Sequence, residues 1–184
     1  KDEKQGIYWW TKTSDRGDFL TRYLVALAYW NGDGVDKNKK KSVELAKTIP
    51  TGEYPGAAYL LGIAHSKGLG ISKDAEKAVE YFLIAAELGN TLSQYELGLA
   101  YSSGVGVTKN EEMAFHWFHL SAENGYSKAQ GWLGVLYTAG QGVEQDDALA
   151  RYWTELGANG GDPFAKNLLK GFPEAEIIEF PTPS

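Results

Sequence analysis

Few residues in this chain have types and spacing that could do chemistry, and the first to weigh are two histidines. His116 and His119 stand three positions apart, which on a helix puts both imidazoles on one face, where they could hold a metal if a third donor were near. No third ligand stands beside them. Four Gly-x-Gly segments suggest loops that cradle phosphate, but they lack the lysine-serine ending of a P-loop and follow no strand pattern. Asp146 and Asp147 could form an acid pair, yet both sit where a helix should begin, and there a cap and a first-turn charge are the simpler roles. The basic run Lys37, Lys39, Lys40 and Lys41 reads as a solvated helix start rather than a nucleic-acid site. Serine meets no histidine and acid in a triad-like order. No catalytic, metal-binding or cofactor-binding residue is nominated, and the chain is expected to be non-enzymatic and without a cofactor.

Composition narrows the classes further. The 184 residues carry 24 acidic and 18 basic side chains, a formal charge of −6 that repels phosphate backbones and argues against nucleic acid as a partner. There is no cysteine, so disulfides, thiolate metal sites and cysteine nucleophiles are excluded together. No apolar run reaches the roughly 18 residues that a membrane span requires, and no membrane insertion is expected. The chain begins at Lys1 rather than methionine, which leads to the expectation of a processed or trimmed start and a periplasmic or secreted location.

The elements that position these residues come from a repeat. Gly-x-Gly followed by a β-branched residue occurs at Gly32, Gly34, Val35; Gly68, Gly70, Ile71; Gly104, Gly106, Val107; and Gly140, Gly142, Val143, each copy 36 residues after the last. The same shift aligns Leu61, Leu97 and Leu133, then Gly62, Gly98 and Gly134, then Tyr29, His65, Tyr101 and Tyr137. His65 therefore reads as a packed substitute for tyrosine. Upstream of each Gly-x-Gly, apolar residues at three- and four-residue spacing predict a helix, here helix A, which the first glycine closes in the left-handed conformation. Asn38, Asp74, Asn110 and Asp146 then stand as N-caps of a second helix, helix B. It carries aromatics at Tyr81, Trp117 and Trp153 between small residues at Ala78, Ala114, Ala150 and at Ala86, Ala122, Ala158.

The predicted architecture is an all-α, α/α solenoid of 36-residue helix-turn-helix repeats filling residues 1–171. A half repeat spans 5–17, with Trp9 in the helix B column. Full repeats span 18–53, 54–89, 90–125 and 126–161, a capping helix 162–171, and an acidic, proline-bearing tail 172–184. Pro50 should truncate helix B of the first full repeat.

The pattern Ala-x-x-x-Leu-Gly-x-x-Tyr-x-x-Gly-x-Gly-Val, then Asp/Asn, Ala-x-x-Trp/Tyr-Tyr/Phe and Ala-Ala-Glu-x-Gly, resembles the Sel-1-like repeat, a relative of the tetratricopeptide repeat, best over 57–161. The resemblance implies a right-handed superhelix that acts as a bacterial adaptor in signalling, envelope assembly, host contact or toxin immunity. A cysteine-rich branch of that family is linked to β-lactam binding or hydrolysis, and the absence of cysteine separates this chain from it.

Positions that packing dictates must repeat, whereas exposed positions need not. On helix A the variable columns are Leu24, Leu60, Glu96, Trp132 and Trp30, Ser66, Ser102, Thr138. They are nominated as a partner-binding concave face, with Trp30 and Trp132 as anchors because large aromatics carry much interface energy. Tyr23, Tyr59 and Tyr95 form a further stripe. The expected function is a scaffold of the bacterial envelope that binds a partner protein or peptide on this concave face; the alternatives are an immunity protein that neutralises a secreted toxin, and a hydrolase of cell wall or β-lactams.

Overall fold

A computed structural model of the chain describes residues 18–172; the expected half repeat over 5–17 and all of the tail beyond Phe172 lie outside the described residues. Nine helices occur among them, without a strand: α1 (Phe19–Asn31), α2 (Lys39–Ala46), α3 (Pro55–Lys67), α4 (Ala75–Glu87), α5 (Thr91–Ser103), α6 (Glu111–Glu123), α7 (Ser127–Ala139), α8 (Asp147–Asn159) and α9 (Pro163–Leu169). The odd-numbered helices are the A helices and the even-numbered ones the B helices. Each packs on its neighbours along the chain, which makes an α/α solenoid of helix pairs.

The punctuation falls where the repeat predicts. Gly32, Gly68, Gly104 and Gly140 end the A helices with φ between 63° and 92°, each returning its N–H to a carbonyl of the last turn. Asn38, Asp74, Asn110 and Asp146 accept a hydrogen bond from the backbone N–H three residues on and so open the B helices. The loop between them closes the same way four times: the N–H of each cap residue donates to the carbonyl of Tyr29, His65, Tyr101 or Tyr137, at 2.8 to 3.1 Å. The second glycine of the pair has a different duty. A Cβ on Gly70 would lie 2.6 Å from the carbonyl carbon of Lys39, so this loop rests directly on the start of the preceding repeat's helix B. Gly106 and Gly142 meet Ala75 and Glu111 in the same way.

Within a repeat, helices A and B touch where helix A has no side chain. A Cβ on Gly98 would stand 2.6 Å from the ring of Phe118, and one on Gly62 would stand 2.5 Å from the ring of Phe82. The ring that seats on the glycine is thus the residue after the Tyr81, Trp117, Trp153 column. In the first repeat the pair becomes Ala26 and Ala46, both fully buried, and in the last it becomes Gly134 and Thr154. Volume is exchanged across one contact. Between repeats, Gln94 and Gln130 donate from their side-chain amides to Ala86 and Ala122 carbonyls at the end of the preceding helix B (3.2 and 3.1 Å). Helix α2 stops at Ala46, ahead of Pro50, and Ile49 turns back into the core.

His65 lies buried in the tyrosine column, its ring stacked on Tyr81 at 5.7 Å with Nδ1 lacking a hydrogen-bond partner. Burial holds the imidazole below its ordinary value of 6.5, against the attraction of Asp74 and with the help of Lys77 and Lys47.

Gly98→Ala should lower stability by about 1 to 3 kcal/mol in urea unfolding, because Phe118 has no room to move. The same change in a Phe118→Ala background should cost almost nothing, since Ala26 and Ala46 occupy those places in the first repeat. His65 takes up a proton more readily unfolded than folded, so its contribution is complete above about pH 6.5 and is lost as the pH falls below it. His65→Tyr should therefore flatten the acid side of a melting-temperature profile between pH 7 and 5.

Candidate partner-binding groove

Stacking the A helices side by side sets a row of their side chains next to one another. Over α1, α3 and α5 this row forms a hollow of about 450 Å³. Its apolar wall is Leu27, Trp30, Leu60, Ile63 and Leu92, with Tyr23 and Tyr59 beside them and Lys39, Lys67 and Glu96 as its charged groups. A second, smaller hollow of about 220 Å³ continues between α3, α4 and α5, where Ser66, Val79, Phe82, Leu99 and Ser103 line it and Glu96 is shared. Gly56, on the lining of the first hollow, makes room for Tyr23. Leu20, Leu92 and Lys128 hold the same place in other repeats, but at Gly56 any Cβ would strike the Tyr23 hydroxyl, which crosses from α1 onto α3.

The two nominated tryptophans have different surroundings. Trp30 is half-buried at the wall of the hollow, and Lys39 lies over its ring with Nζ 3.5 Å from the centroid and 2.6 Å from the Trp30 carbonyl oxygen. Trp132 is sandwiched instead, stacked on Phe118 at 5.5 Å and against Phe164 of α9 at 5.7 Å. Its ring belongs to the core of the last repeats. Leu60 lines the hollow but is only 3% exposed and packs with Ala26, Val43 and Leu61, so it floors the groove as part of the core. Leu24, Ser102 and Thr138 lie outside the hollow, and Thr138 Oγ1 is bonded to the Gly134 carbonyl (2.8 Å). The tyrosine stripe is shared between packing and groove: Tyr59 leans on Phe82 (6.2 Å), and Tyr95 lies between Phe118 (5.7 Å) and Tyr126 (5.0 Å).

Electrostatics mark the centre of the groove. Burial pushes the Tyr59 hydroxyl up to about 12, with Glu96 adding to the shift. Burial likewise raises the Glu96 carboxyl above the usual carboxylate range, opposed by Lys67 and Lys128. Tyr23, Tyr95 and Tyr126 are raised for the same reason, and burial lowers Lys39.

Several groove residues escape a reading by variable columns. Leu27 and Ile63 belong to a column that stays apolar in every repeat, and such a column looks the same whether it faces core or groove. Leu92 could have been found, since its column reads Leu20, Gly56, Leu92 and Lys128. Lys39, expected as solvated, is instead partly buried over the ring of Trp30, whereas Lys41 is exposed as expected, with its ammonium over the ring of Tyr29. His116 is exposed and His119 Nδ1 sits 3.4 Å from Glu123, and among the described residues no three His, Asp or Glu side chains gather as a metal site. Among the same residues no helix is long and apolar enough to cross a membrane.

A family model described as the Sel1 repeat matches residues 1–18, 22–48, 55–90, 91–126 and 127–162. Among solved structures, the chain is similar to a protective antigen of uropathogenic Escherichia coli strains displaying an SLR fold, with 30% identity and a TM-score of 0.85 over 91% of this chain. It spans only 36% of that antigen's chain. It is also similar to a Sel1 repeat protein from Oxalobacter formigenes, with 29% identity and a TM-score of 0.85, covering 93% of this chain and 70% of the other. An immunity protein from Pseudomonas aeruginosa shares the fold at 22% identity and a TM-score of 0.56, over 90% of this chain and 61% of its own. No curated protein matches.

The packing of Trp132 makes a prediction opposite to an anchor's. Trp132→Ala should destabilise the fold by about 2 to 3 kcal/mol, because it empties the stack between Phe118 and Phe164. Urea unfolding of the variant checks this.

Proposed function

Because the chain belongs to the Sel1 repeat family, we propose that it is a protein-interaction scaffold that holds a segment of a partner protein in the groove of α1, α3 and α5. Sel1 repeat scaffolds suit protein-protein interaction, and the observation that carries the proposal here is the hollow of about 450 Å³ walled by Trp30, Leu27, Ile63 and Tyr59. Apolar and aromatic walls with a few fixed polar groups are what a buried anchor residue requires. Trp30 is not dictated by the repeat, since Ser66 and Ser102 occupy its column. The likeness to an immunity protein is one of fold and selects no partner. We place the scaffold in the bacterial periplasm or outside the cell, a reading supported by its similarity to a protective antigen and tested by fractionating the native host.

The test uses the chain as bait in host lysate beside two variants. Trp30→Ser installs the residue that later repeats carry, and Tyr152→Ser alters an exposed aromatic on the outer helix α8. A partner held by the parent and by Tyr152→Ser should weaken at least tenfold with a folded Trp30→Ser. A partner indifferent to Trp30→Ser and lost with Tyr152→Ser would put the interface on the outer helices and overturn the proposal.

A further inference from the structure

Glu96 is the one charged residue in its column, where Leu24, Leu60 and Trp132 stand in the other repeats. Helix packing at this position accepts leucine or tryptophan, so nothing in the repeat calls for a carboxylate. Yet the carboxylate lies between the two hollows of the groove and lines both. It is half-buried, and among the described residues it takes no hydrogen bond and no ion pair. Lys67 and Lys128 act on it only at a distance, and Lys39 is held against Trp30. A carboxylate withdrawn from water without a partner destabilises the free protein, and a cation delivered there recovers the interaction.

We infer that Glu96 receives a cation from the bound segment: the groove takes a peptide stretch in which an apolar side chain fills the Trp30 hollow and a nearby lysine or arginine pairs with this carboxylate. The inference rests on the groove reading above and adds the chemistry of its occupant. Charge complementarity selects this occupant over an acidic one. Of the groove's own cations, Lys39 is engaged by Trp30 and Lys67 is exposed to water at the last turn of α3, whereas the Glu96 carboxylate is half-buried and unpaired.

The probe is a panel of acetylated, amidated heptapeptides with one fixed leucine or phenylalanine, one position set to lysine, arginine, norleucine or glutamate, and the rest randomised. Binding is measured to the parent, Glu96→Gln, Glu96→Leu and Trp30→Ser. The parent should prefer lysine or arginine over norleucine by roughly ten- to a hundredfold. Glu96→Gln should erase that preference while leaving norleucine peptides bound as before, and Glu96→Leu should raise the melting temperature. A preference that survives Glu96→Gln, a preference for glutamate, or a lowered melting temperature in Glu96→Leu would overturn the inference. Peptides bound without charge preference yet lost with Trp30→Ser would overturn it and leave the groove reading standing. Retention of no peptide by any form would overturn both.

Discussion

The structure depends on the contact of a bare backbone with an aromatic ring. At Gly62 and Gly98 helix A presents no side chain, and Phe82 and Phe118 of helix B lie against it at distances that any Cβ would violate. The ring buries a large apolar surface while the two helices stay close, so the pair behaves as one thick unit. The Gly-x-Gly turn then does for neighbouring repeats what the first glycine column does within one. Its second glycine lets the loop rest on the backbone of the previous helix B, fixing the step from pair to pair. With both spacings set, the A helices stand side by side and the groove follows from the stack.

What the groove holds is decided at the positions that packing leaves free. One column carries Leu60 as core, Glu96 as an unpaired carboxylate and Trp132 as a sandwiched ring, and the difference lies in what the next A helix offers. Phe164 of α9 covers Trp132, whereas Lys128 of α7 leaves Glu96 open to the groove. Gly56 shows the same freedom on the other side: lacking a side chain where Leu92 has one, it lets Tyr23 of α1 lie against α3 beside the hollow that Trp30 walls. A repeat protein can thus keep its scaffold constant and write its specificity in single substitutions.

The fold was legible because the same physical demand recurs at the same interval. Caps at Asn38, Asp74, Asn110 and Asp146 and left-handed glycines at Gly32, Gly68, Gly104 and Gly140 appear in the sequence in register and in the structure in those roles. The ring that seats on the glycine was less visible, since Tyr81 and Phe82, or Trp117 and Phe118, are adjacent aromatics and only the helix phase separates them. The groove was legible in part. Trp30 and Glu96 stand out as departures from their columns, but Leu27 and Ile63 do not, because a constant apolar column carries no information on which way it faces. Trp132 shows the converse limit: departure from a column was compensated by Phe164 of the following helix, so it marks packing.

The central claim is that the partner lies along α1, α3 and α5 rather than on the outer helices. The most direct measurement is site-specific photocrosslinking in the native host, with benzoylphenylalanine placed at Leu27 in the groove and, separately, at Tyr152 on α8. The account predicts one discrete protein adduct from position 27 and none from position 152. Adducts from position 152 alone would move the interface to the outer face and contradict it.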